Sequence, residues 1–207
     1  RTGKQFTWGC NGRLNYAKPE VLQLMEQAGC SFINYGIEAF DDQVLRTMKK
    51  SLTVKMIENG IQETLKTSIN PGLNIIWGNH GETVETLRKS VDFLIKYSDH
   101  TQFRTVKPVA PYPGSPLYYD AIMMGLLDSN NPAEDFYENK HLNSELLTVN
   151  FTQLTDSDFY EALAAGNKRL VDDYFSFLRT QHHDEIDQLY SEQNNTHRGF
   201  RSKLVYI

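Results

Sequence analysis

Cysteine is scarce in this 207-residue chain: Cys10 and Cys30 are the only two. That excludes a disulfide framework, and their separation is too wide for one arm of a zinc or iron–sulfur motif. Both are expected to be buried thiols. A basic excess is also lacking. The formal net charge of −5 and a pI near 5.7 argue against a nucleic-acid backbone as partner, because surfaces that grip phosphates carry surplus Lys and Arg. No apolar run approaches the roughly 18–20 residues that span a bilayer, and no signal peptide opens the chain; the expectation is a soluble, cytoplasmic protein. Neither a Gly-x-Ser-x-Gly elbow nor a His-Glu-x-x-His helix occurs, so hydrolase chemistry has no foothold. The chain is shorter than the about 250 residues of a complete (β/α)8 barrel. It begins at Arg1 without an initiator Met, which raises the expectation of a piece of something longer.

What the sequence has instead is a rhythm. Three apolar runs, at residues 31–38, 73–83 and 103–116, each pass into a polar or Gly-rich turn and then a helix-like segment. A parallel αβ barrel gathers the carboxyl ends of its strands on one face, where loops build a site. Residues 5–10 are predicted as a short strand and Gly12-Arg13-Leu14-Asn15 as a polar turn. Pro19 and Glu20 suit a helix start, with Val21, Leu22, Leu24, Met25 and Ala28 as its apolar stripe and Gly29 as its stop. Phe32, Ile33, Tyr35 and Ile37 make a nearly continuous apolar strand, as expected when both faces of a parallel sheet are covered. Asp41-Asp42 and Thr53 are predicted to cap the next two helices. Asn70-Pro71-Gly72 is read as a break before a strand over 73–77, and residues 82–97 as a helix with acidic residues in its first turn. A strand over 102–109 follows, ending in a Pro-rich turn. Such alternation predicts parallel βαβ crossovers.

Beyond about Gly125 the pattern changes. Residues 128–139 are polar and acidic and are predicted as a long loop, and Thr155 onward as an amphipathic helix. The expected architecture is therefore α/β: a partial TIM-type (β/α) barrel of parallel strands over residues 1–125, then a loop plus helical C-terminal extension over 126–207.

Several residues could carry chemistry. Glu38 closes an apolar strand, where a carboxylate at the barrel mouth can accept two hydrogen bonds from a diol such as a ribose or pair with an ammonium group; helix capping and salt bridging are the alternatives. Arg13 and Asn15 hold the equivalent position after the first strand, where a guanidinium can clamp a carboxylate or decorate a surface turn. Asn74 alternates with Leu73 and Ile75 and is expected to point into the lumen, toward a ligand hydroxyl or a buried network. Gly78-Asn79-His80-Gly81 before a helix N-terminus offers free backbone N–H groups to polar or anionic atoms, yet matches no phosphate fingerprint. His80 is either a general base or an exposed loop residue. Adjacent His182 and His183 point about 100° apart on a helix and cannot share an ion easily; no residue is assigned as a metal ligand.

The ordered set resembles the radical S-adenosylmethionine superfamily, in the branch whose members often carry a cobalamin-binding domain. The matching stretches are 8–15 (WGCNGRLN), 22–30 (LQLMEQAGC), 35–38 (YGIE), 44–50 with Thr53 (VLRTMKK), 76–83 (IWGNHGET), 110–118 (APYPGSPLY) and Val149-Asn150-Phe151-Thr152. The resemblance implies a partial barrel of six parallel strands, of which this chain supplies about four. It also implies S-adenosylmethionine and a [4Fe–4S] cluster as cofactors, the cluster on a Cys-x3-Cys-x2-Cys loop absent here and expected upstream of Arg1. Cobalamin and an electron donor such as flavodoxin or ferredoxin complete the implied set.

Carried across by position, the resemblance gives Arg13 and Asn15 the methionyl carboxylate side, Glu38 the ribose or amino group, and Asn74 the ribose. The backbone at Trp77, Gly78, Val109 and Ala110 borders the adenine, and His80, in place of a usual proline, and Tyr112 face substrate. The implied activity is reductive cleavage of S-adenosylmethionine to a 5′-deoxyadenosyl radical, in a methyltransferase or cyclase, with the segment alone inactive. A non-catalytic α/β module that binds a small ligand or a protein is the alternative, and an acid–base barrel enzyme using Glu38 and His80 is a weaker third.

Overall fold

The structure is a computed structural model that describes residues 6–191. Its chain order is β1 (Trp8–Gly12), a 3-10 turn (Leu14–Tyr16), α1 (Pro19–Gln27), β2 (Cys30–Glu38), α2 (Asp42–Thr47), α3 (Val54–Thr64), β3 (Asn70–Trp77), α4 (Val84–Lys96), β4 (Lys107–Pro108), α5 (Pro116–Met123), α6 (Pro132–Asn139) and α7 (Asp156–Tyr190). The four strands form one parallel array in the order β1-β2-β3-β4. Sequential strands lie side by side because each returns through a helix, the expected result of right-handed crossovers. This bears out the α/β fold of four parallel strands with a helical extension.

The helices α1, α3 and α4 cover one face. Ile33, Tyr35 and Ile37 of β2 and Leu73, Ile75 and Trp77 of β3 are buried there with Leu22, Ile57, Ile61, Val91 and Leu94. The buried Tyr35 hydroxyl keeps a partner, Thr64 Oγ1 at 2.9 Å, as a polar group removed from water requires. Capping follows the sequence: Asp41 accepts from the N–H groups of Gln43 and Val44, and Thr53, Thr83 and Thr155 each accept from an N–H in the first turn of their helices. The long α7 lies on α4, where a Cβ at Gly166 would stand 3.2 Å from Val91, so glycine allows the close approach. A smaller apolar cluster joins Val109, Tyr118 and Ala121 to Leu127, Phe136, Val149 and Phe151, which pins the extension under α5.

Several elements differ from their sequence expectation. The first strand runs through Gly12, two residues beyond its predicted end; Gln5 lies outside the described residues. β2 is not covered on both faces: its burial alternates, and Asn34 and Gly36 face away from the helices. Asn70-Pro71-Gly72 is the beginning of β3, not a break. Pro71 is admitted because a strand start tolerates the missing N–H. The strand predicted over 102–109 shrinks to Lys107–Pro108, since the stretch before it is held by side-chain bonds such as Arg104 to Asp99 and to the Pro71 carbonyl. Residues 128–139 are not all loop: Pro132 at N1 and Glu134 and Asp135 in the first turn start α6. Cys30 is buried as expected, whereas Cys10 is only half-buried.

Candidate functional site

The face of the sheet opposite the helices is small and polar. Gly9, Asn11, Phe32, Asn34, Gly36, Gly72 and Asn74 share it, the parallel register placing Asn11 beside Asn34, Asn34 beside Gly72, and Gly36 beside Asn74. Asn34 Nδ2 donates to Asn11 Oδ1 at 3.2 Å. A Cβ at Gly72 would stand 2.8 Å from Asn34 Oδ1 and 2.7 Å from Phe32 Cζ, so this strand can pass close to its neighbour's side chains only as glycine. Asn74 is exposed on this face, in the direction its alternation predicted, with solvent and not a buried network around it.

At the carboxyl end of β2 the register slips between Gly36 and Glu38, and Glu38 adopts φ 70. A left-handed conformation is uncommon for a residue with a side chain and costs energy that the surroundings must offset. Its effect is to turn the carboxylate back over Gly36, where an added Cβ would lie 2.7 Å from Glu38 Oε1. There Oε1 meets Lys50 Nζ at 2.8 Å. Lys50 is presented by the α2–α3 connection, flanked by Lys49 and Ser51 at φ 52 and 56. Its N–H donates to the Leu45 carbonyl, and its carbonyl accepts from Arg13 Nη2 at 2.8 Å. Thus Arg13 and Glu38 are brought to one place, but by way of Lys50, a residue the sequence reading did not single out. The available signal was its place at the end of the matched stretch 44–50 (VLRTMKK).

Arg13 is not free to wait for a ligand. One of its nitrogens orders the Lys50 carbonyl, and the residue is otherwise exposed. Asn15 is half-buried, and its Oδ1 is a buried acceptor without a partner. The Trp77 side chain is wholly buried and stacks on Phe159 at 4.2 Å, so only its backbone borders the mouth; its carbonyl accepts from Val109 N at 2.8 Å. Val109 is buried and Ala110 half-buried beyond it.

The Gly78–Gly81 turn corrects an expectation. Its first two N–H groups are not free: Gly78 and Asn79 both donate to Glu82 Oε2, at 2.7 and 2.8 Å. Glu82 is almost wholly buried, and its Oε1 and the Asn79 amide nitrogen lack partners. Burial pushes the Glu82 carboxyl up to about 7, against the two backbone N–H groups that pull it down. His80 lies in the same turn. Its Nε2 is 3.5 Å from Asp120 of α5, and its ring meets the edge of Phe151. Tyr112 is exposed, donates to or accepts from Ser144, and packs against Phe136, on the extension side of the mouth.

Neither cysteine serves the open face. Cys30 is buried, and Cys10 lines a 440 Å³ groove between β1 and α1 on the helical side. Among the described residues no group of three or more His, Cys, Asp or Glu is placed to hold a metal ion. His182 pairs with Glu185 on the exposed part of α7.

Residues 1–94 match the radical SAM superfamily. The chain is 25% identical over 152 residues to a bacteriochlorophyllide d C-12(1)-methyltransferase of Chlorobaculum tepidum, covering 71% of this chain and 33% of that protein. It is 32% identical over 123 residues to a hopanoid C-2 methylase of Rhodopseudomonas palustris, covering 57% and 22%. The chain thus spans a third or less of the length of these curated relatives. Among solved structures, the radical S-adenosylmethionine methyltransferase TsrM of Kitasatospora setae aligns at 18% identity and TM-score 0.46, over 55% of this chain and 22% of that one.

Proposed function

We propose that the open sheet face is the S-adenosylmethionine wall of a radical enzyme transferring a methyl group, a reading supported by the match of residues 1–94 to the radical SAM superfamily. The observation that carries this reading is the Glu38–Lys50 pair standing over Gly36, next to Asn34 and Asn74. An amino-acid zwitterion needs an acceptor for its ammonium and a cation for its carboxylate, and Glu38 and Lys50 are that set, with the outward donors of Arg13 alongside. A ribose needs carboxamide partners, which Asn34 and Asn74 offer. Gly36 and Gly72 keep the surface clear.

When bound and reduced, the sulfonium cofactor supplies a 5′-deoxyadenosyl group for radical chemistry. This chain's part is to bind and orient: Arg13 holds the Lys50 carbonyl, Lys50 and Glu38 grip charge of opposite sign, and the Gly78–Gly81 turn closes the adenine side with the backbone of Trp77, Val109 and Ala110. His80 and Tyr112 stand toward substrate. The residues present do not fit an iron–sulfur cluster, so its ligands, a cobalamin domain and the docking of a flavodoxin or ferredoxin donor are proposals for the whole protein outside this chain. Residues 1–125 then supply the cofactor wall and, through His80 and Tyr112, part of the substrate side, in a cytoplasmic setting. No described helix is long and apolar enough to cross a membrane. The two relatives' names support methyl transfer as the reaction class.

The test is anaerobic reduction of the protein at its encoded length with S-adenosylmethionine. Formation of 5′-deoxyadenosine, lost in Glu38→Gln and Lys50→Met, supports the proposal; its absence in protein with a filled cluster overturns it. A second reading, a ligand-binding module without catalysis, is favoured by the lack of cluster ligands on the open face. It predicts S-adenosylmethionine binding without cleavage.

A further inference from the structure

Glu82 carries a carboxyl group that no role in the helix behind it explains. The N-terminus of α4 is already capped: Thr83 Oγ1 accepts from Thr86 N, and Thr86 Oγ1 accepts from Thr83 N in return. Glu82 stands one residue ahead of that box and reaches back onto the turn that leaves β3. Its Oε2 accepts from Gly78 N at 2.7 Å and from Asn79 N at 2.8 Å, and its own N–H donates to the Asn79 carbonyl at 3.1 Å. A carboxamide oxygen could accept the same two bonds without the cost of a buried charge, and Glu82 is only 2% exposed. What a glutamate adds there is a proton that can be gained and lost.

The turn it holds is tightly placed. Gly78 adopts φ 111, and a Cβ there would stand 3.0 Å from the Phe159 ring. Trp77, just before it, accepts from Val109 N through its carbonyl and donates from its indole N–H to the Thr83 carbonyl, so a shift of Gly78 and Asn79 moves the backbone where β3 meets β4. As a neutral acid Glu82 suits its surroundings. Once ionised, it leaves Oε1 as a buried charged acceptor without a donor, and the unpaired donor in the same turn is the Asn79 amide nitrogen, on a residue 4% exposed. Ionisation therefore pulls that amide across or opens the turn. Burial pushes the carboxyl up to about 7, which brings the change to neutral pH. The surrounding charges are otherwise engaged: His80 of the same turn faces Asp120 of α5, Asp41 at the start of α2 is paired with Lys89 of α4, and Glu85 with Arg88. Asp41 adds a like charge that raises Glu82 further, and α7 presents the uncharged Phe159.

We infer that Glu82 is a positioning residue for the proposed cofactor face: in its neutral form it holds the Gly78–Asn79 backbone in the shape that receives S-adenosylmethionine, and loss of its proton releases that shape. This rests on the reading of the open face as the cofactor wall.

The experiment uses S-adenosylmethionine and the protein at its encoded length, as parent, Glu82→Gln and Glu82→Ala. In calorimetric titrations at pH 6 and pH 8, the parent is expected to lose at least tenfold more affinity at the higher pH than Glu82→Gln does. Glu82→Gln, which keeps an acceptor for both N–H groups, should match the parent at pH 6, and Glu82→Ala should bind more weakly at both. A ligand-free readout accompanies these: in isotope-labelled protein the Gly78 and Asn79 amide resonances should show a titration step at about pH 7 in the parent that Glu82→Gln lacks. A glutamate with a structural role alone gives parent and Glu82→Gln parallel pH profiles, which overturns the inference. So does binding by Glu82→Ala equal to the parent's, or an amide step shared by parent and Glu82→Gln. If circular dichroism shows Glu82→Ala unfolded, the comparison with Glu82→Gln decides. The amide step with no S-adenosylmethionine bound by any form at either pH overturns the cofactor-wall reading and the binding role with it, whereas binding without the amide step overturns this inference alone.

Discussion

The Lys50 ammonium lies 2.8 Å from the Glu38 carboxylate across the whole of α2, with each side chain about a quarter exposed at 23% and 24%. Partly exposed pairs of this kind contribute about 0–1 kcal/mol. The arrangement nevertheless uses three non-glycine left-handed residues, Glu38, Lys49 and Ser51, each costing on the order of 1 kcal/mol. Stability does not account for it, whereas the charge pair required by the proposed S-adenosylmethionine site would.

Lys50→Met and Glu38→Gln are accordingly expected to leave folding within about 1 kcal/mol of the parent. Each should weaken S-adenosylmethionine binding at least tenfold, about 1.4 kcal/mol. Calorimetric titration of folded variants checks this. Equal affinity in either variant would remove that residue from the site.

Gly36→Ala places a methyl 2.7 Å from Glu38 Oε1. The obstacle is the end of a flexible side chain, so the expected result is a displaced carboxylate and weaker ligand binding with little change in melting temperature. Gly60→Ala is the contrast, because there the methyl meets the Leu14 backbone carbonyl at 2.8 Å, and a clear loss of stability is expected. Thermal unfolding of the two variants separates the cases.

Glu82 makes stability depend on pH. Its folded value of about 7 lies above the ordinary carboxylate value of 4.5, so the folded state holds its proton more firmly than the unfolded chain. The stabilisation is complete below pH 4.5, declines as pH rises to about 7, and is gone above it. The full change is on the order of 3 kcal/mol. Asp41 and Asp99, whose carboxyls lie below their usual range, slope the other way at more acidic pH, so the readout is the difference between parent and Glu82→Gln in urea unfolding at pH 5 and pH 7.5. The variant should lose the decline; identical pH dependence would show that Glu82 is charged at pH 5.

Phe159→Ala removes a fully buried ring stacked on Trp77, and a loss of about 3–5 kcal/mol is expected. Trp77 emission should shift to the red as the start of α7 loosens from β3. An unshifted spectrum with full stability would mean that α7 does not close this end of the sheet.

The sequence made β2, β3 and the helix caps legible because apolar period and capping chemistry are local. Asp41 and Thr53 each cap where they were expected, and the helix expected from Thr155 onward starts there. The strand before Pro108 misled because Arg104 is drawn to Asp99 and the Pro71 carbonyl while Val106 and Phe103 meet Asn167 and Tyr174 of α7, which no local pattern records. The site was legible in part. Glu38 and Asn74 stand on the open face, as strand position and alternation suggested. Lys50 was hidden because its role comes from two left-handed neighbours and a partner twelve residues away. The turn at Gly78 was misjudged for the opposite reason: a single buried carboxylate, Glu82, consumes the donors that the loop sequence seemed to offer.

Because Asn11 and Asn74 of the open face are exposed, exchanging either for another polar residue leaves the helix-covered hydrophobic layer intact. Selection can therefore retune what is gripped there without first rescuing a weakened scaffold, so divergence of specificity along this lineage should concentrate on one side of four strands while the other side keeps its size and shape.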